Sequence, residues 1–273
     1  MFAQREAWGA YLSCARALRR FLGVCDAEGV DVVVVKGAVT AFLLYDDPAD
    51  RPLRDVDVRV RPADCPRLVA AAMRAGFTPV LTGQPHQVYG TSVLSWGNIS
   101  IDIETHVGPP HFTRLDVDAL LAGAHRVMHP QGFVVPVPET MHHALVLAIN
   151  VFKDKFHKAT PWSLDDAVRI ARCPDFDVPR LVALGERYAA TTLLWLVADH
   201  LAGLGHGRWQ EVREALGRPP RPIYRKLHAY LSRARPEGLP LRLLTRVVAD
   251  DPKLWPRAIL RTGLWELLQL RRR

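Results

Sequence analysis

The acidic pair Asp55-Val56-Asp57 sits inside the apolar run DVDVRV. Side chains on a strand alternate faces, so positions two apart share one. Asp55 and Asp57 therefore leave one face, and Val56, Val58 and Val60 leave the other. Two neighbouring carboxylates on a buried strand repel each other and lose hydration. A divalent cation relieves both penalties, and hard oxygen ligands suit Mg2+. A second acidic segment, Ile99-Ser100-Ile101-Asp102-Ile103-Glu104-Thr105-His106, also alternates cleanly. Its Asp102, Glu104 and His106 share a face.

The elements that must position these groups are legible from periodicity. Residues 3–28 carry apolar positions at three- and four-residue spacing, which predicts a helix. Gly29 ends it, and the β-branched run 30–35 reads as a buried strand. A short helix is expected over 38–44, a second strand over 55–60, and a helix over 65–75 stopped by Gly76. Residues 77–81 read as a strand, 87–95 and 98–104 as a hairpin turned at Trp96-Gly97, and 127–137 as a strand pair turned at Gln131-Gly132. From Glu139 onward helical spacing dominates: 139–155, 163–172, 178–204, 208–216, 221–234 and 254–271. Proline and glycine clusters such as Arg218-Pro219-Pro220 separate the pieces. The expectation is an α+β chain: a mixed α/β domain over 1–137, then a helical domain over 138–273.

Bulk properties narrow the class. A chain of 273 residues that is 49% hydrophobic can bury a sizeable core. It has no apolar run of ~18 residues, so no membrane span is expected. The N-terminal segment carries Glu6, Arg16, Arg19 and Arg20 among its apolar residues, unlike a secretory leader. Cys14, Cys25, Cys65 and Cys173 form no CxxC pair, which favours reduced thiols in a cytoplasmic protein. A net charge of +8 favours anionic partners. The basic residues are spread out and interleaved with acids, so tight nucleic-acid binding is not expected.

Lys36-Gly37, Leu44-Tyr45, Arg51 and Asp55-x-Asp57, in that order and followed by a further strand acid, resemble the nucleotidyltransferase superfamily that includes DNA polymerase beta. More narrowly, the chain resembles the bacterial nucleotidyltransferase family proteins of the NTP_transf_5 type. The Glu104-Thr105-His106 element and the segment Trp162-Ser163-Leu164-Asp165-Asp166 look similar to that group's later motifs. The resemblance covers roughly residues 25–172. It implies a nucleotidyltransferase-type mixed sheet with flanking helices, followed by helices. The implied activity is Mg2+-dependent transfer of a nucleoside monophosphate from a nucleoside triphosphate, such as ATP, to a hydroxyl or phosphate. The acceptor would be a small molecule, peptide or protein. Two metal ions held by three carboxylates can activate the attacking hydroxyl and stabilise departing pyrophosphate.

Carried onto this sequence, the resemblance implies Asp55, Asp57 and Glu104 as catalytic metal ligands. Matching the acidic-x-His element selects Glu104 as the third acid. Matching an acid between apolar neighbours selects Asp102 equally well, and the choice of Glu104 rests on His106 alone. Lys36, Gly37, Arg51, Asp102 and His106 are expected around the nucleotide. Gly37 would let a helix N-terminus approach phosphate. Most superfamily members follow that glycine with serine, whereas this chain has Ala38, so Lys36 is expected to supply the missing interaction. Arg59 shares the face of Asp55 and Asp57 and could brace them. In the helical half, Lys153, Lys155 and Lys158 are candidates for the triphosphate, with the nucleotide in a cleft between the halves. Asp165 and Asp166 are expected to cap a helix. Two alternatives stay open: a catalytically inactive nucleotide-binding or regulatory protein of the same fold, which Ala38 favours, and an enzyme that modifies tRNA.

Overall fold

The computed structural model describes residues 2–81, 90–154, 161–217 and 248–270. Lys155, His157 and Lys158, the expected helix over 221–234 and the terminal arginines 271–273 lie outside the described residues. Two compact units divide the chain. Residues 1–106 and 116–139 form the first, and residues 107–115 and 140–273 form the second.

The first unit opens with α1 (Phe2–Glu28). Its Arg16, Arg19 and Arg20 are exposed, while Cys14, Ala17, Leu18 and Phe21 are buried. Gly29 ends α1 at φ 60°, the left-handed region that glycine enters without steric cost. The next elements are β1 (Val32–Val35), α2 (Gly37–Leu44), β2 (Asp55–Val60), α3 (Cys65–Arg74) and β3 (Thr78–Leu81). They are followed by β4 (Thr91–Trp96), β5 (Ile99–Glu104), α4 (Val117–Ala122), β6 (His125–His129) and β7 (Phe133–Val137).

Five strands form one sheet in the order β1-β2-β5-β4-β3, and β6 and β7 pair as a separate ribbon. Among the described residues only β2–β5 is parallel; the other neighbours run antiparallel. One face of the sheet presents Val56, Val58, Val60, Ile101 and Ile103 to a core shared with Leu18 and Phe21 of α1 and Leu68 of α3. Each such side chain, fully buried, contributes about 1.5–3 kcal/mol. That apolar contact fixes which face of β2 and β5 is left for Asp55, Asp57, Asp102 and Glu104. A slip of one residue would exchange the two sets.

The second unit holds α5 (Thr140–Lys153), α6 (Pro161–Ile170), α7 (Val178–Arg187), α8 (Thr191–Gly203), α9 (Gly207–Leu216) and α10 (Trp255–Leu270). The single helix expected over 178–204 is two helices. Ala189, at φ 53°, breaks it. The amide of Ala190 closes the end of α7 on the Gly185 carbonyl at 2.8 Å, and Arg114 N–H donates to the Tyr188 carbonyl at 2.7 Å. Asp250 accepts from the Thr192 amide at 3.2 Å and thereby caps α8. Both stabilising partners are remote in sequence, which is why periodicity alone ran through the break. Asp165 and Asp166 lie inside α6 and do not cap it. Asp165 pairs with Arg169 at 2.8 Å, and Asp166 is buried. The α+β class, a mixed sheet with helices followed by a helical region, is the one the sequence predicts. Among the described residues no helix is long and apolar enough to cross a membrane.

Candidate active site

The site begins where β1 ends. Val35 is the last residue of β1, and Lys36 turns the chain into α2 at φ 57°, ψ −140°. Such a conformation costs a non-glycine residue about 1–3 kcal/mol. The turn is held by the Lys36 carbonyl, which accepts from the amides of Val39 at 3.0 Å and Thr40 at 2.8 Å. It directs the Lys36 ammonium to Asp57, where it donates to Oδ1. Burial alone would lower the lysine pKa, but the nearby charges of Asp57 and Glu104 more than offset this and raise it. Lys36 is therefore a fixed cation on one of the paired carboxylates.

The β2–β5 ladder sets the rest. Asp55 is level with Ser100, Asp57 with Asp102, and Arg59 with Glu104. Asp57 is buried, Asp102 and Glu104 are half-buried, and Asp55 stands at the exposed start of β2. Loss of hydration is the largest influence on Asp102, followed by the charges of Asp57, Asp55 and Glu104. Together they push its carboxyl up to about 7. Partial burial and Asp57 also raise Asp55, with Lys36 and Arg51 pulling the other way. This is the pattern expected of acids brought together without enough positive charge between them.

One step along the ladder from Asp57, Arg59 is 1% exposed. Its Nη2 lies 2.7 Å from Glu104 Oε2, its Nη1 donates to the Val58 carbonyl at 3.1 Å, and Nη1 is 4.0 Å from Asp57 Oδ1. Its Nε–H is buried and has no hydrogen-bond partner among the described residues. Glu104 is thus claimed by an arginine. No hydrogen bond or ion pair engages Asp102 among the described residues.

Arg51 reaches the site from the loop before β2. Its Nη1 donates to the Pro52 carbonyl at 2.6 Å. A methyl group on Gly37 would lie 3.0 Å from Arg51 Nη2 and 3.0 Å from Leu53 Cδ2. The absence of a side chain at Gly37 is what lets the guanidinium lie against the start of α2. His106 lies just beyond β5 and packs against Gly90. Gly90, at φ 62°, has its carbonyl bonded by the Thr105 amide at 2.8 Å and hydroxyl at 3.1 Å.

The fold therefore brings Lys36, Gly37, Arg51, Asp55, Asp57, Asp102, Glu104 and His106 into one unit. Lys153 is exposed at the end of α5 in the second unit, 4.0 Å from Asp154. The Arg59–Glu104 pair is the feature that alternation alone did not bring out: it shows a shared face, but not which acid the arginine takes.

A divalent cation suits the donor set, which is hard oxygen on adjacent strands with two carboxyls raised by burial and by neighbouring acids. Among the described residues, no three acidic, histidine or cysteine side chains converge tightly enough to enclose an ion as they lie here. Lys36 already holds Asp57, and Arg59 holds Glu104.

The sequence profile described as "Uncharacterised nucleotidyltransferase" matches residues 3–204, well over half of the chain. Among solved structures, the chain is similar to a solution structure of the antibiotic-resistance factor ANT(2'')-Ia. The identity is 13% and the TM-score 0.41, over 79% of this chain and 92% of that one. A search of curated proteins found no match.

Proposed function

The chain belongs to the uncharacterised nucleotidyltransferase family, and from that premise we propose that it moves a nucleoside monophosphate from a nucleoside triphosphate to a hydroxyl or phosphate. The acceptor is a small molecule, peptide or protein. One observation carries the reading: Asp57 and Asp102 stand level on adjacent parallel strands, with Asp55 on the same face.

Asp55, Asp57 and Asp102 would hold Mg2+. Asp102 takes the third place in preference to Glu104, because Arg59 binds Glu104 while Asp102 carries no such partner. A bound divalent cation supplies Lewis acidity toward the acceptor hydroxyl and charge neutralisation for pyrophosphate. Lys36 prevents Asp57 and its neighbours from standing as an uncompensated anionic cluster, and on arrival of the triphosphate its ammonium has a second anion to bind. Arg51, beside Gly37, contributes a fork of donors suited to phosphate oxygens. His106, just beyond β5, would orient substrate.

The test is incubation with each α-labelled nucleoside triphosphate, Mg2+ and candidate acceptors, following pyrophosphate release and label transfer. The reading expects both in the wild type and neither in Asp57→Asn. Label transfer that persists in that variant would overturn the assignment of Asp57 to the metal centre, and tight nucleotide binding with no turnover on any acceptor would turn the reading to a regulatory binding protein.

A further inference from the structure

Arg59 is fully buried on the charged face of the sheet, and burying a guanidinium is costly unless its charge is matched. Its partner is Glu104, at 2.7 Å, and the same guanidinium comes within 4.0 Å of Asp57. Val33 flanks it across β1, and Glu104 flanks it across β5, so its swing is confined. We infer that Arg59 is a positioning residue that sequesters Glu104, so that the sheet presents Asp57 and Asp102 to a divalent cation. This inference rests on the reading of the acidic cluster as a metal centre.

The charge pattern explains why such a brace is needed. Asp102 and Glu104 leave β5 on the same face, two residues apart. Without Arg59 both would compete for one cation. With Arg59, Glu104 is neutralised one step away from the centre, and the side chains facing the ion are reduced to aspartates. The remaining 4.0 Å approach to Asp57 makes Arg59 sensitive to its partner. If Glu104 loses its charge, Asp57 becomes the nearest acid, and the guanidinium then competes with a cation for it.

The experiment measures Mn2+ binding by the loss of the free-ion electron paramagnetic resonance signal. It uses the full-length protein and the variants Arg59→Met, Glu104→Gln and the double variant. Outer partners of metal ligands change affinity about 10–100-fold when altered. Arg59→Met should therefore tighten Mn2+ at least about 10-fold by releasing Glu104. Glu104→Gln should weaken it by about the same factor, and the double variant should return within about threefold of wild type. Thermal unfolding without metal should show each single variant less stable than the double, which leaves no charge unpaired.

Unchanged Mn2+ affinity in Glu104→Gln would make the pair merely structural. Weak binding in both Glu104→Gln and the double variant would make Glu104 itself a ligand. Either result overturns the inference while leaving the metal centre standing. These two variants decide the matter even if Arg59→Met does not fold. A wild-type protein that takes up no Mn2+ at millimolar concentration would overturn the metal reading and this inference together.

Discussion

Asp57 on β2 and Asp102 on β5 occupy the same rung of a parallel ladder, so their carboxylates leave the sheet side by side. Neighbouring strands are about 4.8 Å apart. Loss of hydration on burial, and after it the charge of Asp57 at that spacing, raises the Asp102 carboxyl to about 7.

This sets the pH dependence of the metal-free fold. An unfolded aspartate titrates near ~3.9. Between that pH and about 7 the folded protein holds a proton on Asp102 that the unfolded chain has released. Stability contributed by this group therefore falls as pH rises through that window. Asp102→Asn removes the effect and should stabilise the metal-free protein at pH 8 by about 1–3 kcal/mol, with screening allowed for. Urea unfolding of both proteins at pH 5 and pH 8 checks it. An equal difference at the two pH values would contradict the assignment.

His129 gives the opposite slope. It is buried between Tyr11 and Phe133, and burial lowers its pKa to about 4. Its Nδ1 accepts from the Gln131 amide at 3.1 Å, so the neutral ring carries its proton on Nε2, 3.2 Å from the Tyr11 hydroxyl. The unfolded histidine takes up a proton near ~6.5, so stability drops as pH falls from there toward 4. The loss reaches about 3 kcal/mol at the lower end. His129→Asn keeps an acceptor for Gln131 but does not titrate, and should flatten this limb of the urea-derived stability profile.

Catalysis separates the acids. Asp57→Asn and Asp102→Asn should each lose at least ~100-fold in rate, since on the proposed reading each removes a ligand charge from the metal centre. Glu104→Gln should lose activity at low Mg2+ and recover most of it at high Mg2+. Pyrophosphate release against Mg2+ concentration distinguishes a lost ligand from a disturbed neighbour. Recovery of Asp102→Asn by excess Mg2+, with Glu104→Gln beyond rescue, would reverse the assignment.

Gly37 tests Arg51. Gly37→Ala places a methyl 3.0 Å from the guanidinium and from Leu53, and one of them must shift. The expected outcome is a rise of about 10-fold in KM for the nucleotide, about 1.4 kcal/mol, with a smaller change in kcat. Combining it with Arg51→Ala should add little beyond the larger single effect, because both act on the same contact. Full additivity in steady-state kinetics would separate the two residues.

Local pattern revealed much of this molecule and stopped at pairing. The run Val32–Val35, the alternation of DVDVRV and the turn at Gly97 place β1, β2 and β5 correctly, because each signal lies within a few residues. Alternation also puts Asp102 and Glu104 on one face, but it treats them alike. What distinguishes them is the parallel register of β2 against β5, a relation between distant segments. The break at Ala189 is similar, since its supports are Arg114 and Asp250. The short α4 escapes periodicity because its six residues are too few to show a period, although Asp116 caps it by accepting from the Ala119 amide at 2.8 Å.

The strand order also decides when the centre comes into being. β2 can pair with β1 as soon as Val60 has left the ribosome, but its other neighbour, β5, follows α3, β3 and β4 in the chain. Closing so long a connection delays parallel pairing relative to the nearby hairpin contacts. The β2–β5 seam, and with it the meeting of Asp57 and Asp102, is therefore expected to form late in folding. On the proposed reading, a nascent or half-folded chain would carry Asp55 and Asp57 without Asp102, and so would have no assembled metal centre.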